Sequence, residues 1–309
     1  MYIEETILKR YNGNPIIKPK DLEGAYATFN CGQTMYNGKT ILLVAVQMKT
    51  SPMPRIHVAE SEDGINFTIR KKPFIEKSNV PFIKDFDTWP IDPRVTYIPE
   101  DNTYYIIRPI NSTWGCAAVL GKTKDFETYE EIEIIALPHN RVPCLFPGKI
   151  GGKYVRLDRP YDMGDTGDIW ISYSEDLIHW GEYRPLLKPY TLWNWTKIGP
   201  TPPIKTKDGW LEIIHGVTTS CAGSRYSIGA VLLDLEDPRK IIGKTYSPIL
   251  TPDAEYEYMG TVPNVVFPCG AIADEQKDEL RIYYGAADTY IGLAKGSLKE
   301  VIDLCKKEG

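Results

Sequence analysis

The sequence has no long hydrophobic run and no surplus of basic residues. No apolar run approaches the roughly 18 to 20 residues that a membrane-spanning helix needs, and the opening residues MYIEE are too acidic and polar for a signal peptide. The 309 residues include 36 Lys and Arg against 41 Asp and Glu, so the formal net charge is −5. We therefore expect a cytoplasmic protein that binds neither membranes nor nucleic acid.

Metal-binding motifs and helical periodicity are also scarce. The 6 cysteines form no CxxC pair, and none of the 4 histidines lies at a metal-ligand spacing from two of them. We predict buried, reduced thiols, no metal and no cofactor, with disulfides as the alternative for the thiols. Only residues 297–305 show the apolar spacing of an amphipathic helix, which predicts a short C-terminal helix.

Strand-like segments fill most of the remaining sequence. They are short, rich in β-branched and aromatic residues, and bounded by turns that contain Gly, Asn, Asp or Lys. Clear examples are residues 40–46, 104–107, 153–157, 210–214 and 280–284. These segments favour an all-β protein over a helical one.

Each of these segments belongs to a larger repeat. A second strand follows each one and ends at a polar turn, and the turns are marked by Asp63, Asp125, Asp176, Asp237 and, less clearly, Ser297. The intervals between the markers are 62, 51, 61 and 60 residues, so five units of about 58 residues account for nearly the whole chain. An aromatic residue follows three of the turns within a few positions.

A unit of this length with several short strands is typical of a propeller blade. Radial repetition protects the sheet edges that one open sheet of about twenty strands would expose. We therefore predict an all-β fold, a five-bladed β-propeller that forms a single domain over residues 1–309. A two-sheet sandwich and a right-handed β-helix are the alternatives. The Pro-rich stretch 188–203 keeps the register of the repeat, so we interpret it as a connection between blades three and four.

The first strand of every propeller blade lines the central channel, so we expect the residues that open these strands to converge on one site. The five opening segments are 29–32, 89–95, 140–147, 199–203 and 262–267. Each combines Gly or Pro, which expose the backbone, with isolated polar side chains. This composition indicates a ligand-binding site at the mouth of the channel.

Asp92 is the most suggestive single residue of these segments. Its neighbours include the apolar residues Trp89, Ile91 and Val95, and desolvation there favours the protonated carboxyl group that a general acid requires. The tripeptide Asp-Pro-Arg recurs at 237–239, but the repeat places that copy at an outer polar turn. Position in the blade, and not the tripeptide, therefore indicates a role for Asp92. A turn-forming or strand-capping role is the alternative.

Five short motifs occur in order along the chain, one or two in each of blades two to five. They are Asp92-Pro93-Arg94-Val95, Asn140-Arg141 with Leu145-Phe146-Pro147, Leu157-Asp158-Arg159-Pro160, His215-Gly216-Val217 and Tyr284-Gly285-Ala286-Ala287-Asp288. In this order they resemble the β-mannoside phosphorylases of glycoside hydrolase family 130, and the resemblance extends from about Phe29 to Leu293. The family has a five-bladed propeller fold, in agreement with the number of repeats.

The resemblance implies a catalytic domain in which inorganic phosphate, as a co-substrate, attacks C1 of a terminal β-mannoside with inversion. The products would be α-mannose 1-phosphate and a shortened acceptor. Asp92 matches the family's general acid, thought to deliver its proton through the mannose 3-hydroxyl. Phosphate-binding positions match Arg141, Arg159, His215 and Tyr226, and mannose-binding positions match Asn30, Arg55 and Asp288. One residue departs from the family pattern, because Asp158 stands where members commonly have histidine.

The chemistry of these candidates is consistent with the implied reaction. An inverting hydrolase needs a second carboxyl group to activate water, whereas a phosphorylase needs one acid and an anion site. Two arginines, a histidine and a tyrosine provide donors for a phosphate dianion. Taken singly, each has an ordinary alternative, which is an ion pair for Arg141 and Arg159 and a core position for His215.

Two rival functions and the substrate linkage stay open. An inverting β-mannosidase of the same family would carry acidic groups in place of the phosphate-binding residues. A non-catalytic carbohydrate-binding propeller would need only aromatic residues and Asp288. Tryptophans that could stack on sugars or fill blade cores are Trp89, Trp114, Trp193 and Trp195. Loops expected to select the acceptor and a β-1,2 or β-1,4 linkage are 164–167, 190–197 and 254–258. Association of identical copies also stays open.

Overall fold

The computed structural model describes residues 7–85, 89–161, 166–190, 195–221 and 223–308. Their strands form five separate antiparallel sheets, and each sheet takes its main strands from one of the sequence repeats. The predicted all-β, five-bladed β-propeller with a short C-terminal helix is therefore confirmed. Within these residues, no helix is both long and apolar enough to cross a bilayer. The assignment of residues 1–309 to a single domain stays a prediction.

The strands follow the chain from blade one to blade five, after the short strand β1 (Lys9–Arg10). Blade one contains β2 (Ala25–Tyr36), β3 (Lys39–Met48), β4 (Arg55–Ser61) and β5 (Thr68–Ile69). Blade two contains β6 (Arg94–Ile98), β7 (Thr103–Ser112), β8 (Gly115–Thr123) and β9 (Glu130–Ala136). Blade three contains β10 (Cys144–Ile150), β11 (Lys153–Asp158), β12 (Ile169–Ser174) and β13 (Trp180–Leu187).

The last two blades contain additional short elements. Blade four contains β14 (Lys197–Gly199), β15 (Ile204–Thr206), β16 (Gly209–Ser220), β17 (Gly223–Leu233) and β18 (Ile241–Lys244). The helix α1 (Glu255–Tyr258) precedes blade five, which contains β19 (Val266–Pro268), β20 (Ile272–Asp274), β21 (Glu279–Ala286) and β22 (Tyr290–Gly296). The helix α2 (Leu298–Glu308) follows, and 3₁₀ turns occupy Pro19–Asp21 and Pro99–Asp101.

The N-terminal strand completes the last blade. β1 pairs antiparallel with β22, so that Lys9 lies opposite Lys295 and Arg10 opposite Ala294. Blade five therefore contains strands from both ends of the described chain. The Arg10 guanidinium also forms a two-point ion pair with the buried carboxylate of Glu257, with both N–O distances at 2.8 Å. These contacts close the ring of blades.

The outer turns give the repeat its physical basis. In blades one to three, the carboxylates of Asp63, Asp125 and Asp176 accept backbone N–H groups two and three residues later. Such Asx-type turns reverse the chain between the third and fourth strands. Asp237 lies in the corresponding turn of blade four, between β17 and β18. In blade five, the Ser297 hydroxyl instead accepts the N–H of the residue three positions later, at the start of α2.

The C-terminal helix covers the outer part of blades four and five. The sequence predicts a helix over 297–305, and α2 extends to Glu308. Its buried side chains, which are Leu298, Val301, Ile302 and Cys305, pack into an apolar cluster shared by β16, β17, β21 and β22. Similar clusters fill the spaces between the other neighbouring blades. Apolar packing therefore lies mainly between the blades, and most of the residues around the central cavity are polar.

Candidate active site

The five blades meet around a cavity of about 300 Å³. Its lining residues are Asn30, Asp92, Arg141, Arg159, Tyr161, Lys197, His215, Tyr226, Val262, Val265, Phe267 and Asp288. Four of the five predicted strand-opening segments contribute side chains, and blade four contributes Lys197, His215 and Tyr226 instead of residues 199–203. The cavity thus brings together seven of the eight residues that the sequence predicts for the site.

Asp92 lies two residues before the inner strand β6, and its side chain is buried. Oδ1 accepts a hydrogen bond from Asn30 Nδ2 at 2.8 Å, and Oδ2 accepts one from Arg141 Nη2 at 3.2 Å. The sequence predicts apolar neighbours, and Ile91 does pack against the apolar side chains of blade one. The contacts of the carboxyl group itself are polar, because blades one and three place an amide and a guanidinium beside it.

Arg94 supports the backbone of this acid. Its Nη1 donates to the main-chain carbonyl of Asp92 at 2.7 Å, and its guanidinium lies 5.5 Å from the centre of the Phe267 ring. Asp92 has a φ of 48°, a left-handed conformation that costs energy for a non-glycine residue. Nε and Nη2 of Arg94 are buried without a hydrogen-bond partner among the described residues. The strained backbone of Asp92 and the partly unpaired guanidinium of Arg94 are therefore in direct contact.

Asn30 connects the acid to blade five. It has a φ of 43° and interrupts the pairing of β2 with β3 between Phe29 and Cys31. Gly285 makes the approach possible, because a Cβ at that position would lie 2.0 Å from Asn30 Oδ1. Oδ1 is buried and accepts no hydrogen bond within the described part of the chain. It is therefore available as an acceptor for a hydroxyl group in the cavity.

Asp288 is the second carboxyl group that lines the cavity. It lies in the turn between β21 and β22, where Ala287 and Asp288 both have positive φ, at 47° and 46°. Burial, and then the charge of Asp92, raise the pKa of Asp288 to about 7, against the opposing effects of Arg141 and Asn30. The Asp288 carboxyl group can therefore donate as well as accept a hydrogen bond near neutral pH.

Arg141 and Arg159 provide positive charge that carboxylates only partly balance. Burial opposes the charge of Arg141, but Asp92 raises its pKa above the ordinary value. Arg159 is 5% exposed, forms no ion pair among the described residues and has its Nε unpaired. Burial, and then the charge of Arg141, lower the pKa of Arg159 to about 10. An anion between the two guanidinium groups would relieve this repulsion.

His215 and Tyr226 extend this cationic side of the cavity in blade four. The buried His215 ring lies 4.6 Å from the Phe267 ring and 6.2 Å from the Tyr226 ring. Gly199 pairs with His215 and leaves room for it, because a Cβ there would lie 2.2 Å from the imidazole. Burial, followed by the charge of Arg159, holds the pKa of His215 well below its ordinary value. His215 is therefore neutral and can donate one ring N–H to an anion.

Arg55 is the predicted site residue that does not line the cavity. It opens β4, is partly exposed, and places Nε 3.3 Å from a carboxylate oxygen of Glu76. Its assignment to the sugar rests on the resemblance alone and stays a prediction.

Sequence reasoning missed two polar residues of the lining, Lys197 and Tyr161. Lys197 opens β14, the inner strand of blade four, and its ammonium lies 5.9 Å from the centre of the Tyr226 ring. Lys197 is predicted only as the last residue of an acceptor loop, although its position at the start of an inner strand is a usable signal. The Tyr161 ring lies 5.3 Å from the Arg159 guanidinium. Its position two residues beyond Arg159 is the corresponding signal.

The tryptophans divide between core and surface. Trp195 is buried against Gly216 and Gly229, so it belongs to the core of blade four. Trp89 and Trp114 are exposed, the latter by 74%. Trp193 and parts of the predicted loops 164–167 and 190–197 lie outside the described residues.

The cysteines and the other possible metal ligands do not form a metal site in the described residues. The six cysteines are free, and all but Cys221 are buried. No group of three His, Cys, Asp or Glu side chains in the described ranges is arranged to hold a metal ion.

Comparison with known proteins identifies the family. The family model described as β-1,4-mannooligosaccharide phosphorylase, glycoside hydrolase family 130, matches residues 7–307. A β-1,4-mannooligosaccharide phosphorylase from Ruminococcus albus is 35% identical over 97% of this chain and 91% of its own length. A 1,2-β-oligomannan phosphorylase from a Thermoanaerobacter species is 36% identical, over 95% and 98%. The β-1,2-mannobiose phosphorylase of Listeria innocua, solved with β-1,2-mannobiose, superimposes with a TM-score of 0.86 at 33% identity, covering 97% of this chain and 99% of that one. The chain therefore belongs to glycoside hydrolase family 130.

Proposed function

We propose that this protein is an inverting β-mannoside phosphorylase. Inorganic phosphate attacks C1 of a terminal β-mannosyl residue while the bond from C1 to the acceptor oxygen breaks. The products are α-mannose 1-phosphate and the acceptor shortened by one mannose. The observation that carries the proposal is the pairing, in one cavity, of a buried acid with cationic groups that the carboxylates of the described residues do not fully neutralise.

Asp92 is the proposed general acid. The departing acceptor oxygen needs a proton, and the resemblance implies that Asp92 delivers it through the mannose 3-hydroxyl. The hydrogen bonds from Asn30 and Arg141 fix the direction of both carboxyl oxygens. Fixing the acid before the substrate binds reduces the reorganisation that proton transfer requires.

Arg141, Arg159, His215 and Tyr226 are the proposed phosphate ligands. A phosphate dianion needs compensating charge and several donors, and two guanidinium groups supply both in a planar arrangement. Burial and the neighbouring charge of Arg141 lower the pKa of Arg159, and a phosphate bound there would stabilise both positive charges. Neutral His215 adds a donor without adding further repulsion.

Asn30 and Asp288 are the proposed mannose ligands in the −1 subsite. The free Oδ1 of Asn30 can accept a sugar hydroxyl, and Asp288 can donate or accept near pH 7. The small residues Ala286 and Ala287 beside Asp288 leave room for a pyranose ring.

The two rival functions fit these residues less well. A water-activating hydrolase gains nothing from two guanidinium groups and a neutral imidazole in the cavity. A sugar-binding propeller has no use for a strained acid linked to an anion site. The cytoplasmic location, the state of association and the independence from metals and cofactors are further predictions of the same proposal.

The reaction tests the proposal directly. The purified protein is incubated with β-1,2- and β-1,4-mannobiose, with and without phosphate, in the presence of EDTA. We expect α-mannose 1-phosphate only with phosphate, and β-mannoside synthesis from α-mannose 1-phosphate and a mannoside acceptor with stoichiometric phosphate release. Exchange of a glycosidic bond for a phosphate ester is readily reversible, whereas hydrolysis is not. Free mannose formed equally fast without phosphate would establish the hydrolase instead.

A further inference from the structure

Arg141 and Arg159 lie on two short stretches of backbone that pair with each other. The Arg141 N–H donates to the Arg159 carbonyl at 3.4 Å, and the Tyr161 N–H donates to the His139 carbonyl at 3.1 Å. An isolated antiparallel bridge at Asn140 joins the two stretches between these bonds. The relative position of the two guanidinium groups therefore depends on a very short backbone ladder.

The Asn140 side chain reinforces this ladder. Its Nδ2 donates to Asp158 Oδ1 at 2.8 Å, while its Oδ1 accepts the backbone N–H of Arg159 at 3.1 Å. The Asn140 backbone N–H is also fixed, by the Cys116 carbonyl at 3.0 Å. The side-chain amide of Asn140 thus connects the stretch that carries Arg141 to both Asp158 and Arg159.

Asp158 is the buried anchor of this connection, with 1% of its surface exposed. Besides Asn140, its carboxylate binds Arg156 Nη2 at 2.9 Å and the Ser172 hydroxyl at 2.6 Å. Arg156 is equally buried and is held in turn by the Ile135 carbonyl at 2.8 Å. The charge of Asp158 is therefore balanced by Arg156, and Asp158 forms no ion pair with its sequence neighbour Arg159.

We propose that Asn140 and Asp158 are positioning residues that set the spacing of the Arg141 and Arg159 guanidinium groups, and that they hold the Asp158 carboxylate away from the Arg159 guanidinium. A carboxylate next to Arg159 would otherwise compete with phosphate for the same guanidinium. The inference rests on the proposed phosphate site and adds the residues that determine its affinity.

Steady-state kinetics of Asn140→Ala test the role of the amide. Loss of the two hydrogen bonds loosens the ladder, so the KM for phosphate rises roughly three- to tenfold, as expected for hydrogen bonds of ordinary strength. The KM for the mannoside and kcat at saturating phosphate change less than about twofold. Ser172→Ala, which removes one contact of Asp158 and little volume, gives a smaller rise in the same direction.

Two controls separate positioning from a general loss of stability. Thr96→Val removes a hydrogen bond of 3.2 Å from blade two to the Leu145 carbonyl of blade three, away from the cavity. It lowers the melting temperature without raising the KM for phosphate. In an Arg159→Ala background, Asn140→Ala adds almost no further rise, because one of the two guanidinium groups whose spacing it sets is gone.

The outcomes distinguish the two proposals. A wild-type enzyme without phosphate-dependent turnover would overturn the proposed function and this inference together. A phosphate-dependent wild type whose Asn140→Ala and Ser172→Ala variants keep the wild-type KM for phosphate would overturn the inference alone. Equal rises of the phosphate and mannoside KM values, or an undiminished effect of Asn140→Ala in the Arg159→Ala background, would also overturn it.

Discussion

The chain contains the tripeptide Asp-Pro-Arg twice, and the two copies differ in every contact that matters. At the outer turn of blade four, Arg239 binds the carboxylate of its own Asp237, with Nε to Oδ1 at 2.6 Å and Nη2 to Oδ2 at 3.1 Å. At the centre of the ring, Arg94 binds the main-chain carbonyl of Asp92 instead. The inner carboxyl group is thereby left to residues from other blades and, in the proposed function, to substrate.

Backbone conformation explains the difference. Asp92 has a φ of 48°, whereas Asp237 keeps the ordinary negative φ of a turn residue. The left-handed conformation presents the Asp92 carbonyl to Arg94 and leaves the carboxyl group to Asn30 and Arg141. The same three residues therefore form a self-contained surface ion pair in one place and a pre-oriented acid in the other.

The largest expected effect comes from neutralising the inner carboxyl group. Asp92→Asn removes the proposed proton donor while keeping the size of the side chain, so kcat should fall by roughly 10²- to 10⁴-fold. Asp237→Asn, the matched outer substitution, should leave kcat unchanged, because it removes only a surface ion pair. Initial rates of α-mannose 1-phosphate release measure both. Equal losses in the two variants would remove the distinction between the copies.

The next effect tests whether an inner arginine differs from an outer one. Arg159→Ala should raise the KM for phosphate by roughly 10- to 100-fold, in line with the loss of charge-assisted hydrogen bonds, and change the mannoside KM much less. Sulfate should compete with phosphate in the wild type. Arg239→Ala is the outer control and should change neither constant. An Arg159→Ala enzyme with wild-type phosphate dependence would show that the guanidinium is structural.

The sequence distinguishes the two copies because the repeat assigns each to a position in its blade. Turn markers about 58 residues apart place Asp237 at an outer turn and Asp92 before an inner strand, and the observed strands agree. Inner-strand positions also explain why Asn30 and Arg141 reach Asp92 across 62 and 49 residues. The spacing of the turns predicts the position of a residue within its blade because every blade repeats the same order of strands and turns.

Contacts between blades could not be predicted in the same way. The positive φ of Asp92 and the unpaired donors of Arg94 depend on what the neighbouring blades place around them. The resemblance assigns Arg55 to the sugar, yet the chain places Arg55 outside the cavity lining and beside Glu76. A motif specifies residue types, whereas the direction of a side chain depends on tertiary packing.

The third prediction contrasts inner and outer carboxyl groups by their effect on stability. Burial, and then Asp92, raise the pKa of Asp288 to about 7, whereas the hydrogen bond from Arg239 lowers the pKa of Asp237. Between about pH 4 and 7, Asp288 therefore keeps its proton in the folded protein and loses it in the unfolded chain. Because the folded state binds the extra proton, the free energy of unfolding falls as pH rises through this range.

Asp288→Asn should remove this loss and gain on the order of 4 kcal/mol relative to wild type between pH 4 and 7. Asp237→Asn should differ from wild type by a constant amount between pH 5 and 8, because a lowered pKa acts only below the unfolded value. Urea unfolding at pH 5, 6, 7 and 8 measures both variants. Parallel curves for wild type and Asp288→Asn would contradict the prediction.

The smallest expected effect concerns the arginine of each tripeptide. Arg94→Lys keeps a positive charge but loses the planar group that donates to the Asp92 carbonyl, so the strained backbone of the acid is held less well. We expect kcat to fall roughly three- to tenfold, as for one lost hydrogen bond, with the KM values for phosphate and mannoside within about twofold of wild type. Arg239→Lys should change none of these constants, and circular dichroism establishes that both variants are folded. A change confined to the phosphate KM for Arg94→Lys would mean that Arg94 serves the anion site and not the orientation of Asp92. A fall in kcat for Arg239→Lys would remove the contrast between the inner and the outer arginine.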